Sequence, residues 1–263
     1  MGRIYQQVAA IRQDIGRPVY WSLAALGFLL PLAGWFWASN SGIADPVFLP
    51  SPQAVWESAQ RWWAEGFWQD LWVSIYRVMA GFLLAVIIGV PLGVMIGSFK
   101  SAESYFQPLN DFIRYMPASA FIPLTILWVG IGEGSKIAII FIGVFFQIVV
   151  MTADTVRRIP HSYLEAASTL GANREELLSL VIWRGSLPQM LDILRVNMGW
   201  AWTYLVVAEL VAANDGLGYA ILTAQRFLET DRIFAGILVI GIIGLLFDFS
   251  FRWLQRRLFP WVR

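Results

Sequence analysis

The sequence predicts an all-α membrane protein with six transmembrane helices, and three observations support this fold class. The chain has 263 residues, of which 58% are hydrophobic and only 14% are charged, whereas soluble domains carry about 25% charged residues. Its mean hydropathy is +0.61. Six stretches with few or no charges are long enough to cross a hydrocarbon core, which needs about 20 helical residues. A soluble domain of this size cannot bury so much apolar surface, so the bilayer is the expected solvent.

The six predicted spans follow one another without a linker, so residues 1–263 are expected to form one transmembrane domain. The first span lies in a run of 27 uncharged residues between Arg17 and Asp45, and the second in a run of 22 between Arg77 and Lys100. Bulky residues after Pro31 argue against a cleaved signal peptide. The predicted spans cover about residues 18–38, 77–98, 112–131, 137–156, 195–213 and 233–252.

Charge placement orients these spans with both termini in the cytoplasm. Basic residues accumulate in short loops on the cytoplasmic side of a membrane. With the N-terminus inside, 13 of the 19 basic residues lie on that side, four lie outside, and Arg77 and Arg114 lie at or inside spans. The cytoplasmic set is Arg3, Arg12, Arg17, Lys100, Arg157, Arg158, Arg174, Arg184, Arg195, Arg252, Arg256, Arg257 and Arg263, and the outer set is Arg61, Lys136, Arg226 and Arg232.

Two local patterns add detail outside and inside the spans. Ser51 is a typical helix N-cap, and the residues after it, to about position 65, place tryptophans and apolar residues at helical spacing. This pattern favours an amphipathic helix on the membrane interface, in contact with lipid. In the second span, Gly89, Gly93 and Gly97 form two G-x-x-x-G steps, which predict close packing against another helix.

The composition excludes several kinds of site. The chain has no cysteine, so it has no disulfide, thiolate metal site or cysteine nucleophile. One histidine, His161, gives no basis for a histidine-rich metal centre. A net charge of +1 argues against nucleic acid as a partner. Neither lysine follows a glycine, as a nucleotide-binding Gly-Lys-Ser/Thr loop requires. We therefore expect no catalytic or metal site and no nucleotide-hydrolysing site in this chain.

The longest segment between spans on the predicted cytoplasmic side contains two helix-start signals. Ser162 and Glu165 have the spacing of a capping box, with Ser162 at the N-cap. Gly171 suits the end of that short helix, because glycine adopts the left-handed C-cap conformation without strain. Asn173 begins the same pattern for a second helix, which Pro188 ends or kinks. The segment is therefore expected to form a helical hairpin.

This hairpin resembles the EAA loop of ABC-importer permeases, since Glu165-Ala166-Ala167 is followed after three residues by Gly171. Other stretches resemble the nitrate, sulfonate, taurine and bicarbonate group of that family, in the same order along the chain. They are Phe48-Leu49-Pro50-Ser51-Pro52, Gly89-Val90-Pro91-Leu92-Gly93, Ile131-Gly132-Glu133-Gly134-Ser135-Lys136, Ala208-Glu209-Leu210-Val211-Ala212-Ala213, Gly216-Leu217-Gly218-Tyr219 and Gln255-Arg256-Arg257-Leu258-Phe259-Pro260-Trp261. The resemblance covers about residues 47–261, and the ordered set is far more specific than any one piece.

The resemblance implies a permease with the type I ABC-importer fold, whose loop at about 157–190 docks a coupling helix onto a cytoplasmic ATPase. It assigns the coupling role to Ser162, Glu165, Ala166, Ala167, Leu170, Gly171, Ala172 and Asn173. The implied partners are ABC ATPase subunits that use ATP and Mg, a second copy of the permease and a periplasmic solute-binding protein. The implied location is the bacterial inner membrane, and the implied solute is a small anion such as nitrate, a sulfonate, taurine or bicarbonate. One departure is Trp183-Arg184, where relatives commonly have Leu-Pro.

Polar residues inside spans are candidates for the translocation pathway, because each is costly in lipid. The resemblance places the third and fifth spans near that pathway, which selects Arg114, Asn197, Thr203, Tyr204 and Glu209. Arg114 can hold a carboxylate, sulfonate or nitrate in fork geometry, but an ion pair with Asp111, three residues earlier, is the preferred explanation, because a paired arginine also offsets the cost of burial. An ionised Glu209 would repel an anion, so a gate or a structural role suits it better than direct binding.

An ion-coupled secondary transporter is the alternative function, with Glu209 as the coupling carboxylate. Such transporters often contain inverted internal repeats, and the sequence shows no convincing repeat. A purely structural membrane scaffold is a third interpretation, but it leaves the capped hairpin without a purpose.

Overall fold

The computed structural model describes residues 15–43 and 45–261, and its elements are helices. They are α1 (Arg17–Asn40), α2 (Pro52–Glu65), α3 (Phe67–Ser98), α4 (Lys100–Arg114), α5 (Ile122–Val129), α6 (Glu133–Arg157), α7 (His161–Thr169), α8 (Arg174–Glu176), α9 (Arg184–Ala212), α10 (Leu217–Arg226) and α11 (Thr230–Leu258). A short 3₁₀ turn, Ala118–Phe121, precedes α5, and seven π-helical residues, Leu177–Trp183, join α8 to α9. Arg3, Arg12 and Arg263 of the predicted cytoplasmic set, and the two ends of the predicted domain, lie outside the described residues.

The predicted fold class is confirmed by the length and composition of these helices. Five of them are long and apolar enough to cross a membrane: α1, α3, α6, the continuous helix Arg174–Leu210 and α11. A sixth crossing results if α4 and α5 together form one bent span.

The predicted third span, 112–131, is not one continuous helix. α4 ends at Arg114, and the chain bends by 91° before it resumes a helical path at Ala118. Pro117 accounts for the break, because proline lacks an N–H and disfavours the helical conformation of the residue before it. Arg114 therefore lies at the end of a helix and not within an uninterrupted span.

The centre of the molecule is the pair α3 and α6, which form the most extensive helix contact. A Cβ atom at Gly93 would lie 2.6 Å from Cβ of Thr152, and one at Gly97 would lie 2.7 Å from the carbonyl oxygen of Ala153. Only glycine allows two helices to approach this closely. The predicted packing role of the glycine repeat is confirmed, and α9 is the next most extensive neighbour of α6.

The helices α1 and α2 lie at the periphery of this core. Every residue of α1 is at least partly exposed, and Trp35 anchors the helix by donating from Nε1 to the carbonyl oxygen of Pro50 over 2.9 Å. The start of α2 matches its prediction, because Oγ of Ser51 accepts a hydrogen bond from the backbone N–H of Ala54 at 3.2 Å. The exposed aromatic surface of both helices suits contact with lipid.

The predicted fifth span, 195–213, begins earlier than expected, because Pro188 does not end the helix. Helical structure runs from Arg174 into α9 without interruption. The wider π-helical turns precede the proline, and Oγ of Ser186 donates to the carbonyl oxygen of Ile182 over 2.7 Å. The helix thus continues into the membrane directly from the hairpin.

Candidate functional site

The first candidate site is the hairpin that α7 and α8 form at one end of the bundle. α7 ends in a Schellman motif, in which Gly171 adopts φ +86°. The N–H of Gly171 donates to the carbonyl of Ser168, and the N–H of Ala172 donates to the carbonyl of Ala167, each over 3.0 Å. Because glycine takes this left-handed conformation without steric cost, the predicted helix end is confirmed. Leu170, at the turn, is 89% exposed.

The second helix start of the hairpin is also confirmed. Oδ1 of Asn173 accepts from the backbone N–H of Glu176 at 3.0 Å, and the backbone N–H of Asn173 donates to Oε2 of Glu176 at 2.8 Å. These reciprocal bonds form a complete capping box. The turn between the two helices is therefore held on both sides.

The predicted capping box at Ser162 is wrong. α7 begins two residues earlier than predicted, at His161, with Pro160 in the N-cap position and its carbonyl accepting from the N–H of Tyr163 over 3.0 Å. The restrained φ of proline prepares the chain for helix entry, so Ser162 falls inside the first turn, where its hydroxyl cannot act as the cap. Glu165 instead places Oε1 2.9 Å from Nδ1 of His161.

The predicted coupling residues share an open surface. Leu164 packs against the hydrophobic core and attaches the hairpin to the bundle. Of the coupling set, two residues, Ala167 and Ala172, are half-buried, and the exposed members are Ser162, Glu165, Ala166, Leu170, Gly171 and Asn173. The hairpin therefore presents a small, structurally defined surface of backbone and short side chains.

The second candidate site is a cavity of about 230 Å³ at mid-length of α6 and α9. It is closed on one side by the break between α4 and α5. Its lining consists of Ile113, Arg114, Met116, Ala118, Ile142, Gly143, Phe146, Gln147, Trp200 and Tyr204. The structure thus brings together two of the predicted pathway residues, Arg114 and Tyr204, which are far apart in sequence.

Arg114 makes the predicted ion pair and also lies on the cavity wall. Nε lies 3.1 Å from Oδ1 of Asp111, as the predicted ion pair requires. Nη2 donates to the hydroxyl of Tyr115 over 3.1 Å, and the guanidinium lies 4.7 Å from the centre of the same ring. The ion pair engages one edge of the guanidinium, which still lines the cavity.

Tyr204 is positioned by a glycine on the facing helix. A Cβ atom at Gly143 would overlap the ring of Tyr204, so the ring lies directly against the α6 backbone. Gln147 and Trp200 line the same cavity, and sequence reasoning did not select either of them. Gln147 is a polar residue inside the predicted fourth span, which is the signal that could have found it.

Asn197 and Thr203 lie apart from this cavity. Asn197 is buried, and its Nδ2 donates to the carbonyl oxygen of Ile193 over 2.9 Å. Thr203 is exposed, with Oγ1 3.4 Å from the carbonyl oxygen of Gly199. Thr203 belongs to the outer face of α9, whereas Asn197 belongs to its buried face.

The third candidate site is an ion cluster around Arg77, at the end of the bundle opposite to the hairpin. The Arg77 side chain is 0% exposed. Nε and Nη2 each donate to a carboxylate oxygen of Glu133 over 2.6 Å, and Nη1 donates to Oε1 of Glu209 over 2.7 Å. Asp215 completes the cluster with its carboxylate and its carbonyl oxygen, the latter 2.9 Å from Nη1. Sequence reasoning noted Arg77 but assigned no role to it.

Glu209 is fully occupied by this cluster. Besides Arg77, it accepts from Oγ of Ser74 and from the backbone N–H of Gly218, both over 2.7 Å. These bonds connect α3, the end of α9 and the start of α10. The geometry supports a structural role for Glu209 over contact with solute, in line with the electrostatic argument from the sequence.

Comparisons with known proteins give one consistent result. The family described as "Binding-protein-dependent transport system inner membrane component" matches residues 89–263. The taurine transport system permease protein of Escherichia coli is 37% identical over 256 residues, covering 95% of this chain and 92% of that protein. The putative aliphatic sulfonates transport permease protein of Bacillus subtilis is 35% identical over 96% of this chain and 92% of its own length. The bicarbonate transport system permease protein of Synechococcus elongatus is 30% identical over 90% of this chain and 91% of its own length.

A solved structure supports the same fold. An inward-facing conformation of the MetNI methionine ABC transporter matches with a TM-score of 0.65 and 20% sequence identity, covering 73% of this chain and 95% of that one. At this identity the match bears on the fold alone.

Proposed function

Because the chain belongs to the family of binding-protein-dependent transport system inner-membrane components, we propose that it carries a small anionic solute of the sulfonate, taurine, bicarbonate or nitrate class into a bacterial cell. It is a multi-pass permease subunit of an ABC importer. The solute class is supported by relatives named for taurine, aliphatic sulfonates and bicarbonate. Each of these solutes carries an anionic, oxygen-rich group at neutral pH. The ion-coupled alternative loses its basis, since Glu209 is bound within a buried ion cluster.

The observation that carries the proposal is the capped hairpin. A surface whose shape is fixed before contact favours docking onto a partner, since ordering a loop on binding costs free energy. The Schellman motif at Gly171 and the capping box at Asn173 fix the turn, and Leu170 projects from it. We assign this surface to a separate cytoplasmic ATPase, which would use ATP and Mg and move the membrane helices through α9.

The remaining partners follow from the same assignment. A periplasmic solute-binding protein would deliver the solute at the end that carries the Arg77 cluster, and both chain termini would be cytoplasmic. A second copy would complete the pathway. The outer face of α9 supports this pairing, because Val196, Trp200, Thr203 and Leu210 form an exposed stripe at helical spacing.

The experiment that tests the function is ATP-driven uptake in vesicles. The permease is reconstituted with its co-purified ATPase and binding protein, and uptake of labelled taurine, ethanesulfonate, bicarbonate and nitrate is measured alongside ATP hydrolysis. We expect Gly171→Val to separate hydrolysis from uptake, because its φ of +86° strains a β-branched residue. We expect the same loss from Glu165→Lys, which reverses a charge on the exposed surface.

Gly185→Ala is the matched control, since a Cβ there makes only an ordinary contact at 3.7 Å. Uptake that depends on an ion gradient and not on ATP would overturn the proposed function. Normal coupling in both Gly171→Val and Glu165→Lys would overturn the role of the hairpin.

A further inference from the structure

We propose that the cavity between the α4–α5 break, α6 and α9 is a binding subsite for a short organosulfonate anion. The inference rests on the proposed function and adds to it the side chains that contact the solute inside the membrane. It selects one chemistry, a sulfonate head group with a tail of two or three carbons, from the wider anion class.

The first argument is the set of hydrogen-bond donors at the cavity wall. Four lining residues carry donors that make no hydrogen bond to any other described residue; they are Arg114 through Nη1, Gln147, Trp200 and Tyr204. These four side chains are half-buried or exposed, so their donors are accessible to a ligand in the cavity. A ligand with several acceptor oxygens would satisfy them together, and a guanidinium can hold two of these oxygens at once.

The second argument is charge. Arg114 supplies a cation, and none of the ten residues that line the cavity in the described chain is acidic. Asp111, the partner of Arg114, lies outside the lining and approaches only its Nε, at 3.1 Å. The cavity is therefore electrostatically suited to an anion and unsuited to a cation.

The third argument is the apolar part of the wall. Ile113, Met116, Ile142 and Phe146 line the cavity beside the donors. A purely inorganic anion would leave these side chains against water, whereas a short carbon tail gains from covering them. The combination of donors and apolar wall fits an anion with a small hydrocarbon part.

Size distinguishes the members of the anion class. A water molecule occupies about 30 Å³, so a cavity of about 230 Å³ holds about seven waters. The cavity therefore has room for a two-carbon sulfonate with its six heavy atoms, which contacts more of the wall than bicarbonate does with its four. The amine of taurine would find no carboxylate among the lining residues. We therefore expect ethanesulfonate to bind at least as tightly as taurine and more tightly than bicarbonate.

The test is equilibrium binding of labelled ethanesulfonate to the purified permease–ATPase complex, with the binding protein omitted so that only the membrane site is measured. Taurine, bicarbonate and the uncharged ethyl methyl sulfone serve as competitors. We expect at least tenfold weaker binding in Arg114→Met and in Gln147→Leu, a smaller loss in Arg114→Lys, and little competition from the sulfone.

Arg252→Met is the matched control, because Arg252 pairs with Asp248 on α11 and Asp248 keeps a second partner in Arg195. Binding unchanged in both Arg114→Met and Gln147→Leu overturns the subsite, as does equal competition by the sulfone. Wild-type complex that takes up ethanesulfonate with ATP but does not bind it alone also overturns the subsite and leaves the proposed function intact. Wild-type vesicles without ATP-driven anion uptake overturn both.

Discussion

At the scale of single residues, Arg77 is a buried cation that pairs with three carboxylates. Removing a guanidinium from water costs several kcal/mol, and only close, well-oriented carboxylates offset that cost. Glu133, Glu209 and Asp215 approach it from three different segments. Such a cluster adds little net stability when it is complete, but removing one member leaves the charges of the others uncompensated.

We expect Arg77→Met to destabilise the protein by about 3–5 kcal/mol, because it leaves the buried carboxylate of Glu209 without a counter-charge. Thermal unfolding of the purified protein in detergent measures the change. Arg61→Met is the matched control: Arg61 is 62% exposed and pairs with Asp231 at 3.0 Å, so its loss costs less than about 1 kcal/mol. Equal shifts in the two variants would contradict the importance of the buried cluster.

A second prediction at this scale concerns Gly143. A Cβ atom there overlaps the ring of Tyr204, so Gly143→Ala must displace the ring or separate α6 from α9. We expect a loss of about 1–3 kcal/mol in stability from overpacking and a severalfold slower solute uptake, because Tyr204 lines the cavity.

Gly244→Ala provides the control for Gly143→Ala, since nothing lies within 4 Å of a Cβ at that position of α11. In a Tyr204→Ala background, where the ring is absent, Gly143→Ala should cost little further stability, although uptake stays low. An equal cost of Gly143→Ala with and without the Tyr204 ring would show that the ring is not the obstacle.

At the scale of elements, the hairpin shows which local signals determine a helix boundary. Gly171 and Asn173 act as their residue types predict, because their bonds involve only neighbouring backbone groups. Ser162 is not the N-cap because Pro160, two residues earlier, occupies that position and its restricted φ favours a helix that begins at His161. A capping pattern is therefore reliable only where no stronger backbone constraint precedes it.

This difference gives a paired prediction. Asn173→Ala should cost about 1 kcal/mol of local stability, as the loss of an N-cap does, while Ser162→Ala should leave the hairpin unchanged. Hydrogen exchange of the backbone amides in α8 and the following π-helical residues measures the effect, and ATP-driven uptake should fall only in Asn173→Ala. Faster amide exchange in Ser162→Ala would indicate that Ser162 does cap the helix, contrary to the structure.

The α4–α5 break illustrates what hydropathy cannot reveal. Residues 112–131 are apolar enough for a span, yet Pro117 turns the chain by 91°. Proline within a helical pattern permits either a kink or a break, and only the packing around it decides between them. Here the break matters for the site, because it directs Arg114 to the cavity.

At the scale of the whole molecule, the sequence predicted features that depend on residues close together along the chain. It did not predict features that depend on how separate helices pack. Hydropathy located the helices of the membrane domain, and the glycine repeat of α3 predicted its close contact with α6. The cavity, in contrast, joins Arg114, Gln147 and Tyr204 from three separate helices. No local spacing in the sequence predicts that these three residues lie together, because their proximity depends on how α4, α6 and α9 pack.

The last prediction concerns the pairing of two copies. If the exposed stripe of α9 meets the same stripe of a second copy, a two-fold axis brings equivalent residues close together. The chain has no cysteine, so a single introduced cysteine reports contacts without interference. We expect Thr203→Cys to form an intermolecular disulfide under mild oxidation in membranes, since a disulfide needs Cα atoms about 4.4–6.8 Å apart.

Ser250→Cys is the control for this crosslink, because Ser250 is also exposed but lies on α11. Non-reducing electrophoresis should show a dimer for Thr203→Cys and a monomer for Ser250→Cys. Adding excess ATPase and the binding protein should leave the Thr203→Cys crosslink in place, since neither partner is expected at the middle of α9. A crosslink through Ser250→Cys alone would place the pairing surface on α11, and the cavity beside Trp200 and Tyr204 would then face lipid instead of a shared pathway.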